Sequence, residues 1–214
     1  MTATIDDLLH ALTRAVNALA DSDIRFAVAG GCAVYARGGP ASQHDVDLLV
    51  KPDDCDRAVR TLARAGLRVC DPPENWLRKV YAGDVLIDVI HRPNDRPVTD
   101  ELLDRATVMR IGPAKAPVVS GTDLMVDKML VFDPHRLDFA PLLHIARDLR
   151  EQVDWASVRT QTDRSPYARA FFGLLVDLGI VTAPPHEKGS EHDGASAVRG
   201  RAPAQGAGRG SAHL

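Results

Sequence analysis

The chain has few cysteines. Cys32, Cys55 and Cys70 are odd in number and too widely spaced for a Cys-x-x-Cys pair, which argues against a disulfide framework and a zinc site and suits a reducing cytoplasm. It also lacks an excess of either charge. Its 26 Lys and Arg nearly balance 29 Asp and Glu, so no basic field calls for nucleic acid and no basic tail calls for a membrane. DNA is not an expected partner, whereas tRNA or a small substrate stays open. No apolar run reaches the length of a membrane span. Met1-Thr-Ala-Thr-Ile-Asp-Asp7 lacks the basic and apolar regions of a signal peptide, so the expectation is a cytoplasmic protein with no membrane partner. No internal repeat is visible.

What is present describes an ordinary globular protein. The 214 residues, 45% hydrophobic and 26% charged, suffice for one good core or a core with a small second domain. Ile5, Leu8, Leu9, Leu12, Val16 and Leu19 make one helical stripe, with Asp6 and Asp7 in the first turn where the helix dipole favours anions. Arg25–Ala29 reads as a short strand running into Gly30-Gly31, whose missing side chains let the backbone approach a ligand at the start of the next helix. Val46–Val50 is a strand, and Pro52 opens a helix with Val59, Leu62 and Ala63 as its stripe and Gly66 as its stop. Leu67–Cys70 is another strand. Trp76–Tyr81 and Val85–Ile90 form a hairpin around Ala82-Gly83-Asp84.

Residues 100–106 form a short helix, and 107–111 and 116–119 are edge strands. After Ser120 only helices follow. Ser120 and Asp123 make a capping-box variant for a helix to about Phe132; Asp138 precedes a helix with Pro141 in its first turn; Asp154 caps a third, and Ser165-Pro166 opens the last, ending at Gly179. From Ala183 the composition is too polar and too rich in Gly and Pro to order itself.

The chemistry concentrates in three carboxylates. Asp45 and Asp47 lie two residues apart at a strand and therefore share a face, placing two hard oxygen ligands side by side. Asp88 stands alone in the apolar run Val85-Leu-Ile-Asp-Val-Ile90. A buried carboxylate there would cost several kcal/mol unpaired, by order of magnitude, so a cation is expected beside it. A pair on one strand and a third on a neighbour would make a three-carboxylate metal site.

Gly30-Gly31, Asp45-Val-Asp47 and Asp88 together resemble the nucleotidyltransferase superfamily, which includes DNA polymerase beta, the aminoglycoside and lincosamide nucleotidyltransferases, and the minimal and abortive-infection-type bacterial enzymes. The resemblance is good over residues 24–91 and loose to about 150. It implies an α+β (α/β) fold, a small mixed β-sheet core with helices packed on it (1–119) followed by a C-terminal helical subdomain (120–182), and the composition adds a disordered low-complexity tail (183–214). By the same resemblance, Gly30, Gly31, Ser42 and Lys128 would bind the nucleotide. Asp45, Asp47 and Asp88 would bind Mg²⁺ and serve as catalytic residues, Asp88 acting on the second metal or as base. The implied activity transfers a nucleoside monophosphate from an NTP to a small molecule, protein or tRNA acceptor, releasing pyrophosphate. A noncatalytic regulatory or antitoxin-type module on the same fold is the alternative.

The chain departs from its relatives at two places. Ala41 and Gln43 stand where many carry Arg and Thr or Ser, leaving Arg37 or Lys51 as substitute phosphate contacts, and His135, Leu137 and Pro141 replace three of four residues in a later motif whose Asp138 remains as a helix cap. Cys32 reads as a small residue packed under the glycine turn. Trp76 and Trp155 read as core aromatics, and His44 and His91 as strand-end residues near the carboxylates.

Overall fold

Thr4 and Asp7 start the chain with a reciprocal pair of bonds: the Thr4 hydroxyl accepts from the Asp7 amide and the Asp7 carboxylate accepts from the Thr4 amide, 3.2 and 3.0 Å. The structure, a computed structural model, describes residues 4–41, 44–70 and 73–182. Helix α1 (Ile5–Ala20) leads to β1 (Phe26–Ala29), α2 (Gly30–Ala36) and β2 (Val46–Val50). A 3₁₀ turn at Pro52–Asp54 runs into α3 (Cys55–Arg64), followed by β3 (Arg68–Cys70), β4 (Leu77–Ala82) and β5 (Val85–Ile90). A second 3₁₀ turn at Pro93–Asp95 precedes α4 (Asp100–Asp104), β6 (Thr107–Ile111) and β7 (Ala114–Val118). Then come α5 (Gly121–Leu130), α6 (Ala140–Leu149), α7 (Trp155–Thr162) and α8 (Pro166–Asp177).

The strands form one mixed sheet in the order β3-β4-β5-β2-β1-β7-β6. Pairing is parallel between β2 and β5 and between β1 and β7, and antiparallel elsewhere. Register partners share a face, so the sheet has two chemically different sides. Val28, Leu48, Val89, Val46, Ile87 and Val80 line one side, fully buried beneath α1 and α3. The other side carries Ala29, Asp47, Asp88 and Lys79 abreast across β1, β2, β5 and β4. The site is therefore a charged row across the middle strands of the sheet.

Several sequence expectations need correction. Residues 107–111 and 116–119 are both expected at an edge, and Pro117, which cannot donate to a ladder, fits that expectation; yet β7 lies inside the sheet, and of these two strands only β6 is an edge. Proline is tolerated because β7 meets β1 at the single register pair Val28 and Val118, and the next amide, Val119, donates to the Val28 carbonyl at 3.0 Å. On α3 the buried stripe is Cys55, Ala58 and Leu62, while Ala63 faces solvent. Helix α5 is capped as expected, Ser120 Oγ accepting from Asp123 N at 3.0 Å. The Asp123 carboxylate does not return to the cap backbone; it is buried and binds Arg105 through two bonds of 3.0 and 2.7 Å. Asp138 accepts from the Ala140 amide at 3.1 Å, as a helix-entry residue should. Among the described residues no helix is long and apolar enough to cross a membrane. Ser42, Gln43 and the segment from Ala183 lie outside the described residues.

Candidate active site

The three carboxylates meet. Asp45, just before β2, Asp47 on β2 and Asp88 on β5 each offer an oxygen, and these oxygens lie within 4.8 Å of one another. The parallel register of β2 and β5 pairs Asp47 directly with Asp88, and the two-residue period of β2 brings Asp45 to the same face. Asp88 is buried, and its Oδ1 has no hydrogen-bond partner. A buried carboxylate oxygen without a donor is costly unless something cationic completes it. Hard oxygen donors converging at this spacing fit a divalent cation such as Mg²⁺, whose charge would offset the cost of the unpartnered Asp88 carboxylate.

Electrostatics record the crowding. The Asp47 carboxyl is pushed up to about 7, first by burial and then by Asp45 and Asp88, with Lys128 and the Gly31 amide pulling the other way. Asp88 is pushed up to about 6, again chiefly by burial, with Lys79 as the main opposing influence. Lys79 is the cation whose charge most favours ionised Asp88, although its own ion pair is with Glu74. It lies across the antiparallel β4–β5 ladder from Asp88, with its Nζ 3.9 Å from Glu74 Oε1. Sequence reading missed it because the hairpin turn is one residue shorter than expected. Strands closing at Ala82 and Val85 pair position 79 with 88, whereas a three-residue turn would put Arg78 there.

Gly30 makes the pair possible. It has φ +55°, and a Cβ built on it would sit 1.6 Å from Asp47 Oδ2, so only glycine lets the chain turn into α2 against that carboxylate. Gly31 donates its amide to Asp47. Cys32 is buried, and burial together with Asp47 and Asp45 pushes its thiol up to about 12, so it packs rather than reacts.

Lys128 projects from α5 toward the pair. Burial holds its ammonium below the usual lysine range while Asp47, Asp45 and Asp127 favour its charge. It stands between two cavities that also share Gly30 and Asp47. The narrower, about 460 Å³, is lined by Gly31, Ala41, His44, Asp45 and His144 among others; the wider, about 630 Å³, by Trp76, Ile90, Arg92, Asp127 and Phe132 among others. His44 thus lines the site while His91 lines neither cavity. His144 carries no motif that a sequence reading could have used.

Three expectations fail here. Arg37 is not a phosphate contact: its guanidinium donates to Val119 O at 2.7 Å, Val118 O at 3.3 Å and Gln152 Oε1 at 3.2 Å, tying α2 to the end of β7. Lys51 pairs with Asp100 at 3.1 Å. Trp76 is not a core residue; 37% of it is exposed, at the wide cavity. Trp155 does pack, edge-on to Phe172, and donates its indole N–H to Arg150 O at 3.0 Å.

Solved structures share this arrangement of sheet and helices. The complex of ANT(2'')-Ia with adenylyl-2''-tobramycin superposes with a TM-score of 0.55 at 15% identity, covering 78% of this chain and 97% of the other. An antigenic nucleotidyltransferase-like protein from Paracoccidioides brasiliensis gives 0.51 at 17% identity over 83% and 91% of the two chains. No curated protein matches in sequence. The α+β nucleotidyltransferase fold is thus shared with distant structures, and residues 3–176 match the profile of the family described as uncharacterised nucleotidyltransferase, to which the chain belongs.

Proposed function

We propose that the chain is a Mg²⁺-dependent enzyme that transfers a nucleoside monophosphate from an NTP to the hydroxyl of a small-molecule acceptor and releases pyrophosphate. One observation carries this reading: three carboxylates converge within 4.8 Å, and the buried oxygen of one has no donor. Asp45, Asp47 and Asp88 would hold Mg²⁺, which when bound supplies positive charge to the phosphate oxygens. The glycine turn and Lys128 would seat the triphosphate in the narrow cavity. Asp88 would either complete the metal's oxygen ligands or take the proton of the attacking hydroxyl as the new O–P bond forms and the bond to pyrophosphate breaks.

A small acceptor is supported by a cavity whose 630 Å³ suits a drug-sized ligand, and by the adenylylated tobramycin bound to a protein of the same fold. The test is pyrophosphate release from NTP and Mg²⁺ with a library of small alcohols. Asp45→Asn and Asp47→Asn should each abolish it while the fold persists; full activity in either variant sinks the proposal.

A noncatalytic regulatory or antitoxin-type module on the same fold is the second reading. It is favoured by the engagement of Arg37 and Lys51 elsewhere, with Ala41 in the narrow cavity. Absence of NTP binding at millimolar concentration would select it, whereas tight binding without turnover would point to an acceptor missing from the library.

A further inference from the structure

The two tryptophans have opposite surroundings. The Trp155 indole is packed and hydrogen-bonded, whereas the Trp76 indole is displayed at the wide cavity and, among the described residues, takes part in no ring pair or hydrogen bond. Its backbone is nevertheless fixed, since the Trp76 carbonyl accepts from the amides of His91 and Arg92 at 3.1 and 3.2 Å. A large aromatic held rigidly at a cavity with its ring unused is a binding surface, because burying it against a ligand recovers apolar area at small entropic cost. We propose that Trp76 is the platform on which a ring of the acceptor lies, which makes the wide cavity the acceptor site and a small ring-bearing alcohol the acceptor class; this rests on the nucleotidyltransferase reading above.

The sheet order decides which substrate meets the indole. Gly30 follows β1, Asp47 is on β2, Asp88 on β5, and Trp76 stands at the entrance to β4, so these groups form a progression across the sheet. In-line displacement requires the entering hydroxyl and the departing pyrophosphate on opposite sides of the phosphorus. With the phosphates on the glycine side, the hydroxyl enters from the side of Asp88. That side continues along β5 through Ile90 to Arg92, the wall of the wide cavity next to Trp76.

The remaining walls restrict the chemistry further. Asp95, Asp127 and Asp133 face this cavity against Arg92 and Arg136, a balance that disfavours a polyanionic acceptor such as a nucleic-acid end. The segment opposite Lys128 and Asp127 is a built one. Asn94 and Asp95 are consecutive non-glycine residues with φ of 50° and 59°, and Asn94 Nδ2 donates to the Asp127 carbonyl at 3.1 Å. A saturated ring presents apolar C–H faces to the indole and hydroxyl edges to these polar groups, which matches the cavity's mix of lining residues.

The experiment uses Trp155→Phe protein, in which Trp76 is the sole tryptophan. Calorimetry first establishes binding of α,β-methylene-ATP with Mg²⁺, and Trp76 emission is then followed with that nucleotide alone and with glucosamine or myo-inositol added. The expected result is emission unchanged by nucleotide and saturably quenched by a ring alcohol, with Trp76→Ala leaving nucleotide affinity within about twofold of the parent. Quenching by nucleotide alone, or a loss of about tenfold in nucleotide affinity in Trp76→Ala, the scale of a lost base stack, would put the base on the indole and overturn the assignment. Emission unmoved by both ring alcohols overturns the acceptor class. Absence of nucleotide binding contradicts the functional reading instead, and the ring-alcohol titration still decides the role of Trp76.

Discussion

Lys79 lies directly across the β4–β5 ladder from Asp88 and is the main influence holding that buried carboxyl down against burial and its acidic neighbours. Removing it should raise Asp88 further, since the carboxylate loses its cation. Lys79→Met should therefore move the titration of Asp88 in the metal-free protein upward, as followed by its carboxyl carbon resonance across pH. An unmoved titration would show that Lys79 serves only to satisfy Glu74.

The carboxylate cluster also makes stability depend on pH and metal together. Asp47 and Asp88 are raised in the folded state to about 7 and about 6 from an ordinary value of 3.8. A group whose folded pKa is raised contributes stability fully below its unfolded pKa and loses it as pH rises through the folded value. The metal-free protein should therefore lose stability between about pH 4 and pH 7. Mg²⁺ or Mn²⁺ should raise Tm at pH 8 much more than at pH 5, and Asp47→Asn should flatten the profile. Thermal melts across pH with and without metal provide the check.

Gly30→Ala separates close approach from backbone strain. Its Cβ would collide with Asp47 Oδ2, whereas Gly83→Ala, at φ +65°, meets nothing within 4 Å. The Gly83 variant should cost about 1 kcal/mol and keep activity, since its cost is only that of the left-handed backbone. The Gly30 variant should lose activity by about 100-fold or more, as a misplaced carboxylate disturbs the reacting geometry. Comparing their melts and their pyrophosphate release reads the difference.

Asp123 is a structural carboxylate near the site. It is buried and held by Arg105 and by Ser120 Oγ at 2.5 Å, so Asp123→Ala should destabilise by about 3 kcal/mol by leaving its partners unpaired. Activity of the folded fraction should persist. A denaturant titration gives the first number and a specific-activity assay the second.

The sequence made the carboxylate cluster legible because strand alternation is a strict rule: Asp45 and Asp47 had to share a face, and Asp88 in an apolar strand had to have a reason. Adjacency of β2 and β5, which joins the two halves, is a matter of topology and was visible only through resemblance to a known family. Lys79 depended on a turn length, and an error of one residue there exchanges it for Arg78. Arg37 and Lys51 look available in sequence because their partners, Val119, Gln152 and Asp100, are 49 or more positions away. Trp76 was misjudged because aromatic residues are usually buried, and nothing local marks the cavity that displays it. The collision that requires glycine at position 30 is likewise a contact between two strands' ends, absent from any window of sequence.

The most direct test of the central claim is Mn²⁺ binding in the presence of α,β-methylene-ATP, followed by the electron paramagnetic resonance signal of the free ion, in the wild-type chain and in Asp47→Asn and Asp88→Asn. The account predicts nucleotide-dependent binding by the wild type, weakened by about tenfold or more in each variant, because each removes an anionic oxygen ligand. Equal Mn²⁺ affinity in all three proteins would contradict it.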